Sequence, residues 1–318
     1  MPRLIKTIFF LLYILLCHHS YGAAPWFTGP LLAPAGHTIP RGHTNLELYG
    51  FDITTDGSYD SFKTIQRAPV YHSQLITPIV THGFTDWLDV QLVVPYMFNS
   101  SRGAHYNHIA DTSVTLGIQL WEQNKSAKQL DIRLLLQETI PTGHFNGLDP
   151  LQYGTDSTGL GSYQTQIGLN FQYLLPILDS HYLRTRFIIS RLLCSPVFVH
   201  GLNSYGGTSS TRGNIRHGDE TDFDLAFEFT LDQHWVAVME AVKANGQASR
   251  FNGILNIGNI GGPGATIGSD AYLGNSLAPA IEYNFNEHIG LIGGVWFSIS
   301  GKNTAHFTTY ILALNTYW

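Results

Sequence analysis

The sequence predicts an all-β fold: a transmembrane antiparallel up-and-down β-barrel of about twelve strands, following an N-terminal signal peptide. Three observations predict it. Apolar and polar residues alternate with period two in segment after segment. The connections between these segments are by turns short and long. Tryptophan falls at segment ends, whereas a soluble sandwich would place it mid-strand in the core.

The N-terminus fits export. Arg3 and Lys6 precede an apolar run over residues 8–16, and the small residues Ser20, Gly22 and Ala23 follow. This is the pattern of a signal peptide, with cleavage expected after Gly22. The run is too short for a stable membrane anchor. Cys17 offers a lipoprotein reading, which the bulky Leu16 before it disfavours. Cleavage leaves Cys194 as the one cysteine, so no internal disulfide can form. Losing Arg3 and Lys6 takes the formal net charge from −6 to about −8, which argues against a nucleic-acid partner.

Residues 23–43 form a Pro-rich lead. Pro25, Pro30, Pro34 and Pro40 prevent regular strand pairing, while Trp26, Phe27, Leu31 and Leu32 disfavour water. Irregular backbone cannot face lipid. The lead is therefore expected to enter the periplasmic end of the lumen and restrict flow, with the periplasmic rim as the alternative.

Residues 44–318 carry the barrel. No stretch after residue 22 is long and apolar enough for a membrane helix. The mean hydropathy is near zero with only 13% charged residues, as when lipid-facing and lumen-facing positions average out. Strands are expected at 44–54, 70–83, 87–98, 110–121, 129–140 and 162–174. The remainder are expected at 182–193, 221–231, 235–242, 276–283, 289–300 and 305–318. The alternation is clearest in "SYQTQIGLNFQY", where Tyr163, Thr165, Ile167, Leu169, Phe171 and Tyr173 oppose Gln164, Gln166, Gly168, Asn170 and Gln172. Leu169 then faces lipid. Asn170 faces the lumen, where a larger charged side chain should be tolerated. Short connections such as residues 85–86 and 232–234 alternate with long polar ones such as 203–220 and 244–270. Such alternation separates periplasmic turns from external loops, and an even strand count puts both termini in the periplasm.

Trp87, Trp121, Trp235 and Trp318 fall at periplasmic strand ends, as an interfacial aromatic girdle would. Tyr49, Tyr96, Tyr163, Phe223 and Phe297 are expected toward the outer ends. The chain closes on "FTTYILALNTYW". In a closed barrel the last strand pairs with the first, so it can stop at the membrane surface on an interfacial ring. An alternating strand with a terminal aromatic also looks like the recognition signal of the barrel-assembly machinery. Two places resist this reading. Glu138 shares the lipid parity of Leu134 and Leu136, so it lies beyond the hydrocarbon or a bulge shifts the register. "SPVFVHGLN" either extends its strand or forms a separate piece in an external loop.

By parity the lumen face carries Asp89, Asp131, Arg133, Arg184, Arg186, Asp224, Glu228, Glu240 and Glu282, beside Val93, Leu135, Val236 and Val238. Such a face serves as a charge network that stiffens a small barrel, as a path for small amphipathic solutes, or as both.

The segments "THGFTDWLDVQLVVPYMF", "LLLQETIPTGHFNG" and "GLGSYQTQIGLNFQYLL" resemble the "GLTDRLDV…P", "PTG" and "GTGS…G" patterns of the outer-membrane family named for the meta-pathway of phenol degradation. The resemblance covers most of the mature chain. It implies a transporter-like barrel helping hydrophobic compounds across the outer membrane, and it carries over no catalytic residues.

The sequence thus predicts a channel or transporter for small hydrophobic or aromatic solutes in the outer membrane of a Gram-negative bacterium. Its expected partners are outer-membrane lipid, the assembly machinery and the solute. The alternatives are a non-transporting surface barrel and an interfacial lipid-modifying enzyme. His72–Ser73 is a weak nucleophile–base candidate, because neighbours on a strand face opposite sides. His105, His108 and Asp111 have a spacing that could seat a metal, but in a polar loop they read as solvated. "GNIGGPGATIG" lacks the following helix that a phosphate loop needs. No catalytic residue, metal or cofactor is assigned.

Overall fold

In a computed structural model, residues 25–123, 129–178, 181–255 and 266–318 are described. The expected signal peptide and most of the glycine-rich "GNIGGPGATIG" lie outside them.

The strands are β1 (Thr44–Tyr59), β2 (Ile65–Thr85), β3 (Leu88–Val93), β4 (Tyr96–Ser101), β5 (Ala104–Ile109), β6 (Thr112–Trp121), β7 (Asp131–Ile140), β8 (Gln164–Leu178) and β9 (His181–Cys194). They continue as β10 (Val197–His200), β11 (Arg212–Arg216), β12 (Glu220–Thr230), β13 (Trp235–Gly246), β14 (Arg250–Ile254), β15 (Tyr272–Asn284), β16 (Ile289–Lys302) and β17 (Thr304–Tyr317). β3 and β4 pair successively with β2, so they form one barrel stave interrupted at Val94–Pro95. Pro95 has no N–H to give the ladder. β5 and β6 form the next stave. Twelve antiparallel staves result, closed by β1 pairing with both β2 and β17. At the seam the Thr44 N–H donates to the Trp318 carbonyl at 2.7 Å and the Trp318 N–H returns to Thr44 at 3.0 Å. No sheet edge is left open there.

Outward positions are apolar and exposed: Leu116, Ile167, Phe187, Phe227, Met239, Ile281, Leu312 and Leu314. Leu169 shares the outward parity of Ile167, across from Leu134 and Ile189. Leu169→Arg is expected to destabilise by about 2–4 kcal/mol, the cost of a cation near a bilayer midplane. Reversible unfolding in lipid measures it.

Several expectations change. Residues 55–69 and 99–109 are not long loops. β1 and β2 run on to a short turn at 60–64, and β4 and β5 meet in a tight hairpin at Arg102–Gly103, both with positive φ. Polar residues on both faces of a strand beyond the hydrocarbon read like loop. With the strands extended, Tyr96 falls mid-barrel opposite Ile76, and Tyr49 points inward, stacked on Phe51. Neither belongs to an outer aromatic row. His105 and His108 consequently sit in strand β5. Glu138 keeps its outward position with no bulge in β7, and its carboxylate accepts from Thr165 Oγ1 at 2.7 Å. "SPVFVHGLN" forms a separate piece: its β10 joins β11 and β14 in a three-stranded external sheet. Val199, Tyr205 and Ile215 are its core.

The loop after β7 folds back over the outer end of β2–β6. Asn99 Nδ2 donates to the Thr155 carbonyl at 2.9 Å, the Tyr71 hydroxyl to Gly154 at 3.2 Å, and Asp111 accepts from Gly143 and Leu160 amides.

Candidate functional site

The site is the barrel interior, and the chain's own N-terminal segment fills part of it. Residues 25–41 enter beside β13 and β15, rise to an apex at residues 32–35, and descend along β3 and β6 to reach β1. Trp26 packs edge-on against His234 in a turn at the end where β1 begins. At the other limb the Thr38 hydroxyl donates to the Asp86 carbonyl, in another turn of that end, at 2.9 Å.

Proline sets the chemistry of this segment. It cannot bond within itself or with a strand, so its buried N–H and C=O groups need side-chain partners. The barrel wall supplies them by sign. Carboxylates take the amides: Glu282 that of Thr28, Glu240 those of Leu32 and Ala33 at 3.1 and 2.9 Å, and Asp89 that of Ile39 at 2.8 Å. Guanidiniums and amides take the carbonyls. Arg133 Nη1 donates to Ala35 at 2.9 Å, Arg186 Nη1 to Ala33 at 3.2 Å, and Asn170 Nδ2 to Pro34 at 2.7 Å. Apolar contact completes the fit. Leu31, 2% exposed, packs with Val236, Val238, Ile292 and Ile311, and Phe27 and Tyr49 lie against the same cluster. Wall glycines make room, Gly83 and Gly294 among them. A Cβ on Gly83 would collide with the Ile39 and Pro40 carbonyls, and one on Gly294 would lie 2.5 Å from Leu31 Cδ1.

The structure draws the nine charged lumen candidates into groups. Asp89 and Arg133 pair at 2.5 Å. Glu228 lies between Arg184 and Arg186: Arg184 Nε donates to it at 2.6 Å, and Arg186 Nε forms an ion pair with it at 3.6 Å. Arg184 also lies 4.0 Å over the Phe27 ring. Glu240 and Glu282 hold the segment's amides. Asp131 accepts from Gln172 at 3.1 Å, and Gln172 in turn accepts from Arg186 Nε at 2.7 Å. Asp224 stands apart, higher in the lumen. Charge singles out these nine residues and so leaves out the neutral anchors Gln119 and Asn284, and Asn170 and Gln172, read as lumen-facing, turn out to hold the segment as well. Their signal was the shared inward parity. Asn170 is fully buried under the apex. It is no free lumen position, and an arginine there would collide with the segment.

Removing one anchor tests the arrangement. Glu240→Ala strands the Leu32 and Ala33 amides, a cost of about 1–3 kcal/mol to the docked segment. Faster thiol labelling of an Ala33→Cys reporter is the expected result.

Trp87, Trp121, Trp235 and Trp318 are exposed at the end of the barrel where β1 starts. The rival candidates do not assemble. His72 bonds Thr54 on the outside at 3.2 Å, whereas Ser73 bonds Asn99 inside at 2.6 Å. Among the described residues no cluster of three His, Cys, Asp or Glu could hold a metal.

Two cavities flank the segment. The lower, about 460 Å³, lies between it and the wall at Glu47, Tyr49, Ile79 and Asn315. The upper, about 370 Å³, lies over the apex and is walled by Leu135, Ile188, Asp222, Asp224 and Trp296. Leu32, Pro34, Gln91 and Arg133 line both.

No known family and no curated protein matches the chain in sequence. Among solved structures it is similar to the COG4313 outer membrane channel from Pseudomonas putida F1, with a TM-score of 0.71 and 15% identity over 90% of this chain and 100% of that one. The translocator domain of the autotransporter NalP from Neisseria meningitidis is matched at 10% identity over 99% and 95% of the two chains, with a TM-score of 0.47. A TodX monoaromatic hydrocarbon channel variant is matched at 11% identity over 88% and 90%, with a TM-score of 0.37. Only the first shares enough geometry to carry an argument, and at that identity the argument concerns the fold: this chain has the fold of an outer-membrane β-barrel, closed by twelve staves.

Proposed function

We propose that this protein is an outer-membrane channel of a Gram-negative bacterium, restricted at its periplasmic end by its own residues 25–41, that passes small amphipathic solutes. The observation that carries the reading is the pair of lumen cavities meeting at Leu32, Pro34, Gln91 and Arg133. A barrel built only for rigidity needs no such spaces. The mixed lining, with apolar side chains beside carboxylates and amides, suits solutes with an apolar body and few polar groups. The likeness to the Pseudomonas putida channel supports the same reading. So does the resemblance of "THGFTDWLDVQLVVPYMF" and its companion segments to the phenol meta-pathway family, which favours hydrophobic or aromatic solutes. In this reading the four exposed tryptophans rest at the periplasmic headgroup level, and β17 with Trp318 is what the assembly machinery reads.

The test is single-channel recording with liposome uptake of small aromatic solutes. Conductance that such solutes block, together with uptake above that of protein-free liposomes, is expected. A correctly folded barrel giving neither would sink the proposal.

A further inference from the structure

The external sheet of β10, β11 and β14 packs one face on its core of Val199, Tyr205 and Ile215 and leaves the other open. Side chains alternate across a strand, so register tells what the open face carries. β11 gives it Arg212, Asn214 and Arg216, and β14 gives it Arg250, Asn252 and Ile254. β10 adds Phe198 and His200. No carboxylate stands on this face. Arg216 and Arg250 are register partners, so two guanidiniums lie side by side. Like charges set directly opposite one another destabilise a sheet. Arg216 Nη2 donates to Asp219 at 2.8 Å and Nε to the Cys194 carbonyl at 2.9 Å, and among the described residues Nη1 is free. Asp219 also pairs with Arg191 at 3.5 Å. Arg191 lies on the outward face of β9, opposite the exposed Ile167. The open face thus runs on from the lipid-facing wall. One row lower, Lys243 points outward from β13 beside Phe223. Among the described residues Arg212, Arg250 and Lys243 make no ion pair, and the Asn214 and Asn252 amides make no hydrogen bond. Five of the chain's 17 Lys and Arg residues therefore share this sector, although the net charge is −6. Asp219 is the one carboxylate paired with any of them, and Glu138, two staves away, is engaged by Thr165.

We propose that this face, with Arg191 and Lys243 below it, docks a phosphorylated glycolipid of the outer leaflet. Height selects a lipid. The cations stand directly above the exposed apolar row of Ile167 and Ile189, where the acyl chains end and headgroups begin. The outer leaflet of a Gram-negative outer membrane is built of phosphorylated glycolipid, so the anion is at hand there. A phosphate between Arg216 and Arg250 accepts from both guanidiniums and relieves the like-charge pair. Arg191 and Lys243 reach up to the same level from the apolar wall, as long cationic side chains do at a membrane boundary. The sugar ring then lies over Asn214 and Asn252, whose free amides match hydroxyl groups, with Arg212 at the far end of β11 for a second phosphate. The proposal rests on the outer-membrane reading and is independent of conduction.

Native mass spectrometry of the full barrel released from detergent tests it, with lipid A bearing two phosphates, its monophosphorylated form and its dephosphorylated form as probes. Retention is expected to rise with phosphate count. The doubly phosphorylated form should be held about tenfold or more tighter than the dephosphorylated one, as the gain of a hydrogen bond between charged groups entails. Lys243→Gln/Arg250→Gln removes two cations that hold nothing in the fold, and it should erase most of that preference. Lys63→Gln, in the β1–β2 turn across the barrel, should leave it intact. Equal retention of the three forms, or a preference that Lys243→Gln/Arg250→Gln leaves unchanged, overturns the proposal. Displacement of lipid A by an equal concentration of inorganic phosphate or of an acidic peptide also overturns it, in favour of a free anion or a protein partner. A barrel that conducts without the preference loses the lipid site alone. One that shows the preference without conducting loses the channel reading alone.

Discussion

A chain lacking residues 23–41 is expected to assemble as a barrel and to conduct several-fold better than a chain that keeps them. Assembly should survive because the segment contributes nothing to the β ladder: β1 begins at Thr44 and already pairs with β2 and β17. What is lost is lumen packing. Leu31 leaves the cluster of Val236, Val238, Ile292 and Ile311, and Glu240 and Glu282 lose the amides they hold. In a soluble core such losses would be severe. Here water can enter the vacated space and solvate the carboxylates and guanidiniums. The two cavities would then merge into one passage, since the segment is what separates them. Planar-bilayer conductance and antibiotic uptake by cells carrying the truncation read the outcome. Unchanged flux through a correctly folded truncation would count against the segment as the restriction and would place the barrier at the outer loops.

The second large effect is expected at the opposite terminus. Trp318→Asp should leave little assembled protein in the outer membrane. The Trp318 backbone helps close the seam with Thr44, and its side chain is 59% exposed on the outside. Aspartate keeps the backbone bonds but replaces an interfacial ring with a charge that the membrane boundary disfavours. It also alters the last residue of the strand that the assembly machinery is expected to read. Heat-modifiable migration of outer-membrane fractions measures this directly. A Trp318→Asp protein that migrates as a fully folded barrel would refute both roles.

These two termini illustrate how much was legible in the residues alone. The period of two in β8 and β12 is a local property: it requires only that one side of each strand meet an apolar phase and the other a polar one. It made the strand number and the facing of Leu169 readable before any contact was known. The composition of residues 23–43 was local in the same sense. Four prolines beside four large apolar side chains exclude both strand and lipid, so few places remained. Strand lengths were less legible. Above the hydrocarbon the two faces of β1, β2, β4 and β5 are both wet, the alternation fades, and a paired strand looks like a loop.

What the sequence by itself determined is therefore the barrel and its facing, because the bilayer imposes one repeating constraint on every strand. What only the tertiary structure decided is the arrangement inside. Glu240 meets the Leu32 amide across a sequence separation of 208, and Arg133 meets the Ala35 carbonyl across 98. No local pattern encodes which carboxylate holds a segment amide and which, like Asp222 and Asp224, is left facing a cavity. That division follows from where an irregular proline-rich segment comes to rest in the lumen, where each buried backbone group must find a partner of the right sign.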